Sequence, residues 1–260
     1  MTPPEKLASL LDPLSLPAWQ YHPVVGSTND LALTWAQNGA PDGALVLADA
    51  QTAGRGRGDH QWETRAGTSL AMSLVSRPSP AEASHAARFT AWAALGLVGA
   101  LSGRGMTAEI KWPNDILLGG KKVGGVLVEA SWRSDALEAL VVGMGVNVAR
   151  GAVPEAKKLR YPATSVTEQC GAEVDRWELL VEILQEMIAI RPHLTEDAFI
   201  DAWNAHLAFR EEWVDFRLPG GLARRVKIIG VARDGRLTIE GEDGQVDQAL
   251  AGEIGVFGPS

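Results

Sequence analysis

Apolar positions in this chain fall mostly in short runs separated by Gly, Pro or Asp-Gly, a spacing that favours strands joined by turns, with a few longer stretches of helical period. The first eighteen residues predict one short helix at most. Trp19–Val25 predicts a short strand that Pro23, lacking an N–H, confines to a sheet edge. Ser27-Thr28-Asn29-Asp30 supplies N-cap side chains; Leu31, Trp35 and Ala36 have helical spacing, and Gly39 suits the position just past a helix end. Residues 44–48 and 70–75 predict strands, with a Gly/Arg-rich segment at 51–68 between them. Residues 80–101 read as one long, Ala-rich, largely buried helix. A strand at 109–112 stops at Pro113. Strands at 116–118, 123–130 and 137–142 follow as consecutive antiparallel neighbours, with a Gly119-Gly120 turn between the first two. Helices are predicted over 177–190 and 196–207.

The pattern then changes. Strands at 214–216, 225–229, 237–239, 246–249 and 255–257 recur at regular spacing with Gly or Asp-Gly turns, which suggests a small all-β barrel. A boundary is expected near residues 209–212, with an α+β domain over 1–209 and a β domain over 210–260. The formal net charge of −8 argues against a nucleic-acid partner, which needs a basic face. The one cysteine, Cys170, permits no disulfide within the chain and fits a reducing compartment. No histidine stands three to five residues from another, so metal-ligand spacing is missing. There is no basic-then-apolar leader, and the apolar stretch 89–101 is too short to span a bilayer. The expectation is a cytoplasmic protein without membrane contact. The tryptophans are expected mostly in the core, Trp35, Trp92 and Trp177 among them, with Trp62 and Trp112 placed at a ligand.

Four segments carry possible chemistry. In Gly54-Arg55-Gly56-Arg57-Gly58, alternating glycines let backbone N–H groups converge on an anion, and two arginines add bidentate donors. The same letters also suit a flexible surface loop or an RGG-like tract. In Lys111-Trp112-Pro113-Asn114-Asp115, proline fixes a strand exit and sets an amide beside a carboxylate, suited to Mg²⁺ or nucleotide phosphates, or to an ordinary turn. Lys121-Lys122-Val123-Gly124-Gly125 puts lysines at a strand entrance, followed by glycines that let a ligand lie against backbone; a solvated hairpin reads the same way. Gly143-Met144-Gly145-Val146-Asn147 again clears space and offers an amide, or marks a bulged strand end.

Taken together and in this order, Ser27-Thr28-Asn29, residues 51–57, Trp62, KWPND at 111–115, KKVGGVLVE at 121–129 and GMGVN at 143–147 resemble the biotin–protein ligase family. The resemblance covers about residues 20–150, and the final β-rich segment looks like that family's small SH3-like domain. It implies a mixed sheet flanked by helices, a fold shared with lipoate ligases and class II tRNA synthetases. It implies ATP and biotin as substrates with Mg²⁺, and a biotin carboxyl carrier domain as acceptor. Carried over by position, Ser27, Thr28, Asn29, Gln51, Gly54, Arg55, Gly56, Arg57, Lys122, Gly125 and Gly143 would contact biotin or its adenylate. Arg55, Arg57, Trp62, Lys111, Asn114, Asp115 and Asn147 would face ATP, with Asp115 the metal candidate. Lys122, Arg57, Asp115 and Lys111 would serve catalysis. Many members pair as homodimers through the catalytic sheet, but no edge strand stands out here for that role. About twenty residues precede the matched region, too few for a DNA-binding helix-turn-helix, so a ligase without repressor function is expected. One departure is that Asp59 and His60 stand where the family usually has glycine and arginine, setting a carboxylate near phosphates. The rival readings are a lipoate ligase or octanoyl transferase on the same fold, an idle biotin-binding protein, and a nucleic-acid binder.

Overall fold

The computed structural model describes residues 4–58, 60–133, 135–154 and 161–255. The chain begins with α1 (Glu5–Leu11), β1 (Trp19–Val25), α2 (Thr28–Gln37), β2 (Leu45–Gln51) and β3 (Ser69–Ser76). Next come α3 (Pro80–Ala83), α4 (Arg88–Gly103), β4 (Ala108–Lys111), β5 (Asp115–Leu118), β6 (Lys121–Arg133) and β7 (Ala136–Asn147). Three helices follow, α5 (Val166–Cys170), α6 (Arg176–Ile190) and α7 (Asp197–Ala205). The last strands are β8 (Trp213–Arg217), β9 (Ala223–Val231), β10 (Leu237–Gly241), β11 (Val246–Ala249) and β12 (Glu253–Gly255).

Strands β1 to β7 form one sheet in the order β1-β2-β3-β7-β6-β5-β4. Only β1 and β2 run parallel, so the sheet is mixed, and Pro23 lies on its edge strand as expected. Period-two alternation gives the sheet two unlike faces. On one, Leu45, Leu47, Leu70, Met72, Val142, Met144 and Val146 join Leu97 of α4 and Ile183 and Met187 of α6 in the main core. On the other, Ala32 and Ala36 of α2 pack on Val46, Val75, Ala139 and Val141. Ten residues of helix are about 15 Å long, whereas seven strands span about 29 Å. A large part of this second face is therefore left for other use.

A second, antiparallel sheet has the order β11-β10-β9-β8-β12 and buries Val214, Phe216, Val226, Ile228, Leu237, Ile239 and Ile254. It is fastened to the first. The Trp112 indole donates to the Gly235 carbonyl at 3.1 Å and lies against the Phe216 ring. The buried Arg88 guanidinium donates to the carbonyls of Arg233, Leu194 and Glu196.

Several sequence expectations need correction. Residues 80–101 form two helices, because Ser84 Oγ and His85 Nδ1 both reach the Ala81 carbonyl and close the first after one turn. Strands β6 and β7 run well past the expected 123–130 and 137–142, as a long ladder pairs them from Gly124 with Val146 to Arg133 with Ala136. The expected strand at 255–257 is found at Glu253–Gly255, paired with β8; residues 256 and 257 lie outside the described residues. Helix α5 was not foreseen. Trp112 is buried between the two sheets, where it also borders a small cavity, while Trp132 and Trp213 are exposed. No helix among the described residues is long and apolar enough to cross a membrane.

Candidate active site

The N-terminus of α2 meets the uncovered sheet face at a network of neutral hydrogen bonds bordered by the ion pairs of Arg55 with Glu129 and Asp30. Ser27, Thr28 and Asn29 are all buried there. Gln51 Oε1 accepts from the Thr28 backbone N–H at 2.8 Å and from its hydroxyl at 3.1 Å. Ser73 Oγ, pointing up from β3, lies 2.8 Å from Thr28 Oγ1 and donates to Asn29 Oδ1 at 2.6 Å. Asn29 Nδ2 donates to Glu129 Oε2 at 2.7 Å and to the Leu127 carbonyl. The Asn29 amide is thus engaged at both ends within the protein. A Cβ on Gly143 would collide with it, so the glycine gives the amide its place. Arg55 closes this end: its guanidinium forms a fork on Glu129, both bonds 2.8 Å, and also bonds Asp30.

The other end of the face is charged. Lys122 Nζ lies 2.6 Å from Asp115 Oδ1, and Lys111 Nζ lies 3.8 Å from Asp115 Oδ2. The register explains the meeting: Lys111 opposes Asp115 across β4 and β5, and Asp115 opposes Gly125 across β5 and β6. Burial pushes the Lys111 amine below its ordinary pKa; Asp115 opposes that and Lys122 adds to it. The Lys111 ammonium also stands 4.6 Å from the centre of the Tyr161 ring. Asn114 is part of the framework, its amide donating to the Val126 carbonyl at 2.8 Å. Asn147 donates to the Thr164 carbonyl at 3.2 Å.

Between these ends lies the glycine-arginine loop. Gly56 N–H donates to the His60 carbonyl and Trp62 N–H to the Gly54 carbonyl, so the loop folds back as a narrow hairpin. A side chain at Gly54 would strike the Trp62 carbonyl. The hairpin lays the Trp62 indole on Gly145, where a Cβ would also clash, and brings its ring 5.7 Å from Lys122 Nζ. Arg57 lines a cavity of about 200 Å³ with Trp112, Pro113, Asn114 and Leu127. His60 Nδ1 is 2.6 Å from the Arg57 carbonyl. Asp59 lies outside the described residues. Among the described residues, no group of three or more His, Cys, Asp or Glu side chains is placed to hold a metal ion.

The structure therefore gathers Thr28, Asn29, Gln51, Arg55 and Gly143 at one end and Lys111, Asp115, Lys122 and Gly125 at the other. Three neighbours escaped the sequence reading: Ser73, Glu129 and Tyr161. Glu129 had a signal, since it shares the period-two face of Gly125. Ser73 was hidden as one of three serines in an otherwise apolar strand. Tyr161 had no local signal.

Comparison with known proteins bears on the family. The model of the Biotin/lipoate A/B protein ligase family matches residues 21–147. The chain is 39% identical over 166 residues to the bifunctional ligase/repressor BirA of Bacillus subtilis, covering 63% of this chain and 50% of that protein. It thus spans about half the length of that relative. With the biotin–[acetyl-CoA-carboxylase] ligase of Paracoccus denitrificans it shares 39% identity over 188 residues, 70% of this chain and 76% of the relative. With the enzyme of the same name from Mycobacterium tuberculosis it shares 30% over 273 residues, 92% and 94% of the two chains. The biotin protein ligase of Aquifex aeolicus, solved in complex with biotin and ATP, superposes with a TM-score of 0.76 at 27% identity, covering 92% of this chain and 97% of that one. The chain belongs to the biotin–protein ligase family.

Proposed function

We propose that this chain activates biotin with ATP as biotinyl-5′-AMP and transfers the biotinyl group to a lysine of a biotin carboxyl carrier domain. One observation carries the reading: a neutral hydrogen-bonding network and a lysine-carboxylate cluster share one open sheet face, separated by a glycine floor. A neutral ureido ring needs paired donors and acceptors, which Ser27, Thr28 and Gln51 offer, while Asn29 and Arg55 brace them. A carboxylate attacking an α-phosphorus needs cations at the junction, which Lys122 and Lys111 offer, with Arg57 from the loop. The carboxylate oxygen bonds to phosphorus as pyrophosphate leaves. The acceptor amine then attacks the acyl carbon and AMP leaves. Only about one free lysine in two thousand is neutral at pH 7, so the amine must lose a proton, for which Asp115 is the candidate acceptor. Trp62, Asn114 and Asn147 border the nucleotide in this reading.

A single carboxylate already paired with Lys122 does not make a cage for Mg²⁺, and no step is assigned to a protein-held ion. The ion is expected to arrive on the phosphates. The second sheet is read as the SH3-like barrel of the family, with the division at residues 209 and 210.

The test is biotin transfer to a purified carboxyl carrier domain with ATP and Mg²⁺, read as a mass gain on the acceptor. An ATP-dependent gain that disappears in Lys122→Ala supports the reading. Transfer of lipoate or octanoate in its place moves the chain to the sister activity, and tight biotin binding without transfer makes it a binding protein.

A further inference from the structure

Residues 161–164 form a wall of the charged end. The segment 161–164 runs beside the start of β6. Lys122 N–H donates to the Pro162 carbonyl at 2.8 Å, and Thr164 N–H donates to the Lys122 carbonyl at 2.9 Å. The Thr164 carbonyl takes the Asn147 amide, and Gln169 and Glu168 of α5 hold the Thr164 hydroxyl. The segment therefore grips Lys122 by both backbone groups. At its head, the Tyr161 hydroxyl donates to the Gly120 carbonyl at 3.1 Å, and the ring face lies 4.6 Å from the Lys111 ammonium.

We propose that Tyr161 is a positioning residue of the nucleotide site, its ring face fixing the Lys111 ammonium beside Asp115 where nucleotide phosphates would meet it. Lys111 needs such a support. Its side chain is only 11% exposed, so little water holds the ammonium in place. Asp115 is closer to Lys122, at 2.6 Å, than to Lys111, at 3.8 Å. An aromatic face attracts a cation without competing as an anion for incoming phosphates, as a second carboxylate would. The inference rests on the ligase reading for the identity of the nucleotide.

The experiment measures binding of α,β-methylene-ATP and, separately, of biotin, by calorimetry on the full chain, so that no turnover is required. Tyr161→Phe keeps the ring face and is expected to bind the nucleotide within twofold of the parent. Tyr161→Leu is expected to bind it about tenfold more weakly, with biotin affinity and melting temperature unchanged. In a Lys111→Met background, Tyr161→Leu is expected to add nothing. The inference is overturned if Tyr161→Leu binds nucleotide like the parent, if Tyr161→Phe loses as much as Tyr161→Leu, or if the loss persists without Lys111. A chain that binds nucleotide and responds in the expected way, yet transfers no biotin, sinks the ligase reading and leaves the Tyr161 assignment standing.

Discussion

Thr28, Gln51 and Ser73 satisfy one another through neutral hydrogen bonds, whereas Lys111, Asp115 and Lys122, at the other end of the same sheet face, hold together by charge. The two ends respond differently to a ligand. A neutral bond is worth about 1 kcal/mol net, but leaving a buried partner unpaired costs about 1–3 kcal/mol. The neutral end therefore keeps its shape, and a ligand must match it. The Lys122–Asp115 pair is partly open to solvent, where an ion pair contributes little to stability. Such a pair can give up its partner to an incoming phosphate at small cost. Rigidity belongs to the neutral end and exchange of partners to the charged one.

Substitutions can break this contrast. The largest effect is expected from Lys122→Ala, which should lower biotin-dependent pyrophosphate exchange at least about a hundredfold, as loss of one aligned donor does. Its melting temperature should stay close to that of the parent. At the neutral end, Gly143→Ala drives a methyl into the Asn29 amide, which Ser73 and Glu129 already hold. Overpacking of this kind costs about 1–3 kcal/mol, so both melting temperature and biotin affinity should fall, the latter about tenfold or more by calorimetry. Ser73→Ala removes the partner of Thr28 Oγ1 and Asn29 Oδ1 without changing the backbone. Biotin affinity should fall about fivefold, with the KM for ATP unchanged; an equal loss for both substrates would erase the proposed division between the ends.

The mildest test lies away from both ends, where charge serves the fold. Tyr21, Asp49 and Arg176 form a cluster near the sheet edge, the Tyr21 hydroxyl and the Arg176 guanidinium both donating to Asp49. Burial and the Asp49 hydrogen bond push the Tyr21 phenol up to about 12 from 10.0. The folded form thus keeps this proton longer than the unfolded one. The contribution is complete below pH 10 and lost as pH rises through about 12. Urea melts across that range should show an alkaline decline in the parent that is shallower in Tyr21→Phe.

What could be read in the sequence differed between the two ends as well. The strands and the mixed order of elements follow from local alternation, and α2 starts where residues 27–30 suggest, although Ser27 makes no side-chain cap bond and Gln51 meets the Thr28 N–H. Lys122 and Asp115 stand out as polar groups where strands begin. Their meeting depends on the β5–β6 register, which a bulge shifts between Ile116 and Leu117, and no local pattern announces that. Ser73 is concealed because it is one of three buried serines in an otherwise apolar strand, and nothing local marks which of them joins the network. Tyr161 was concealed because its position depends on the backbone bonds that Pro162 and Thr164 make to Lys122, far away in sequence. The break between α3 and α4 turns on two side chains competing for one carbonyl, which the apolar pattern of residues 80–101 masks.

The fastening of the two sheets bears on how the chain acquires its fold. Arg88 is 2% exposed, and its acceptors at Arg233 lie 145 residues further along the chain. Its hydrogen bonds go to main-chain carbonyls, while the Phe199 ring lies 6.0 Å away and the charge of Asp197 favours the ionised form. A growing polypeptide that has made the first sheet but not residue 233 must leave that guanidinium in water or bury it short of partners, at a cost of several kcal/mol. Trp112 waits in the same way for the Gly235 carbonyl. Closure of the first core is therefore expected to wait for the second sheet, and the two should be lost together in one cooperative unfolding transition.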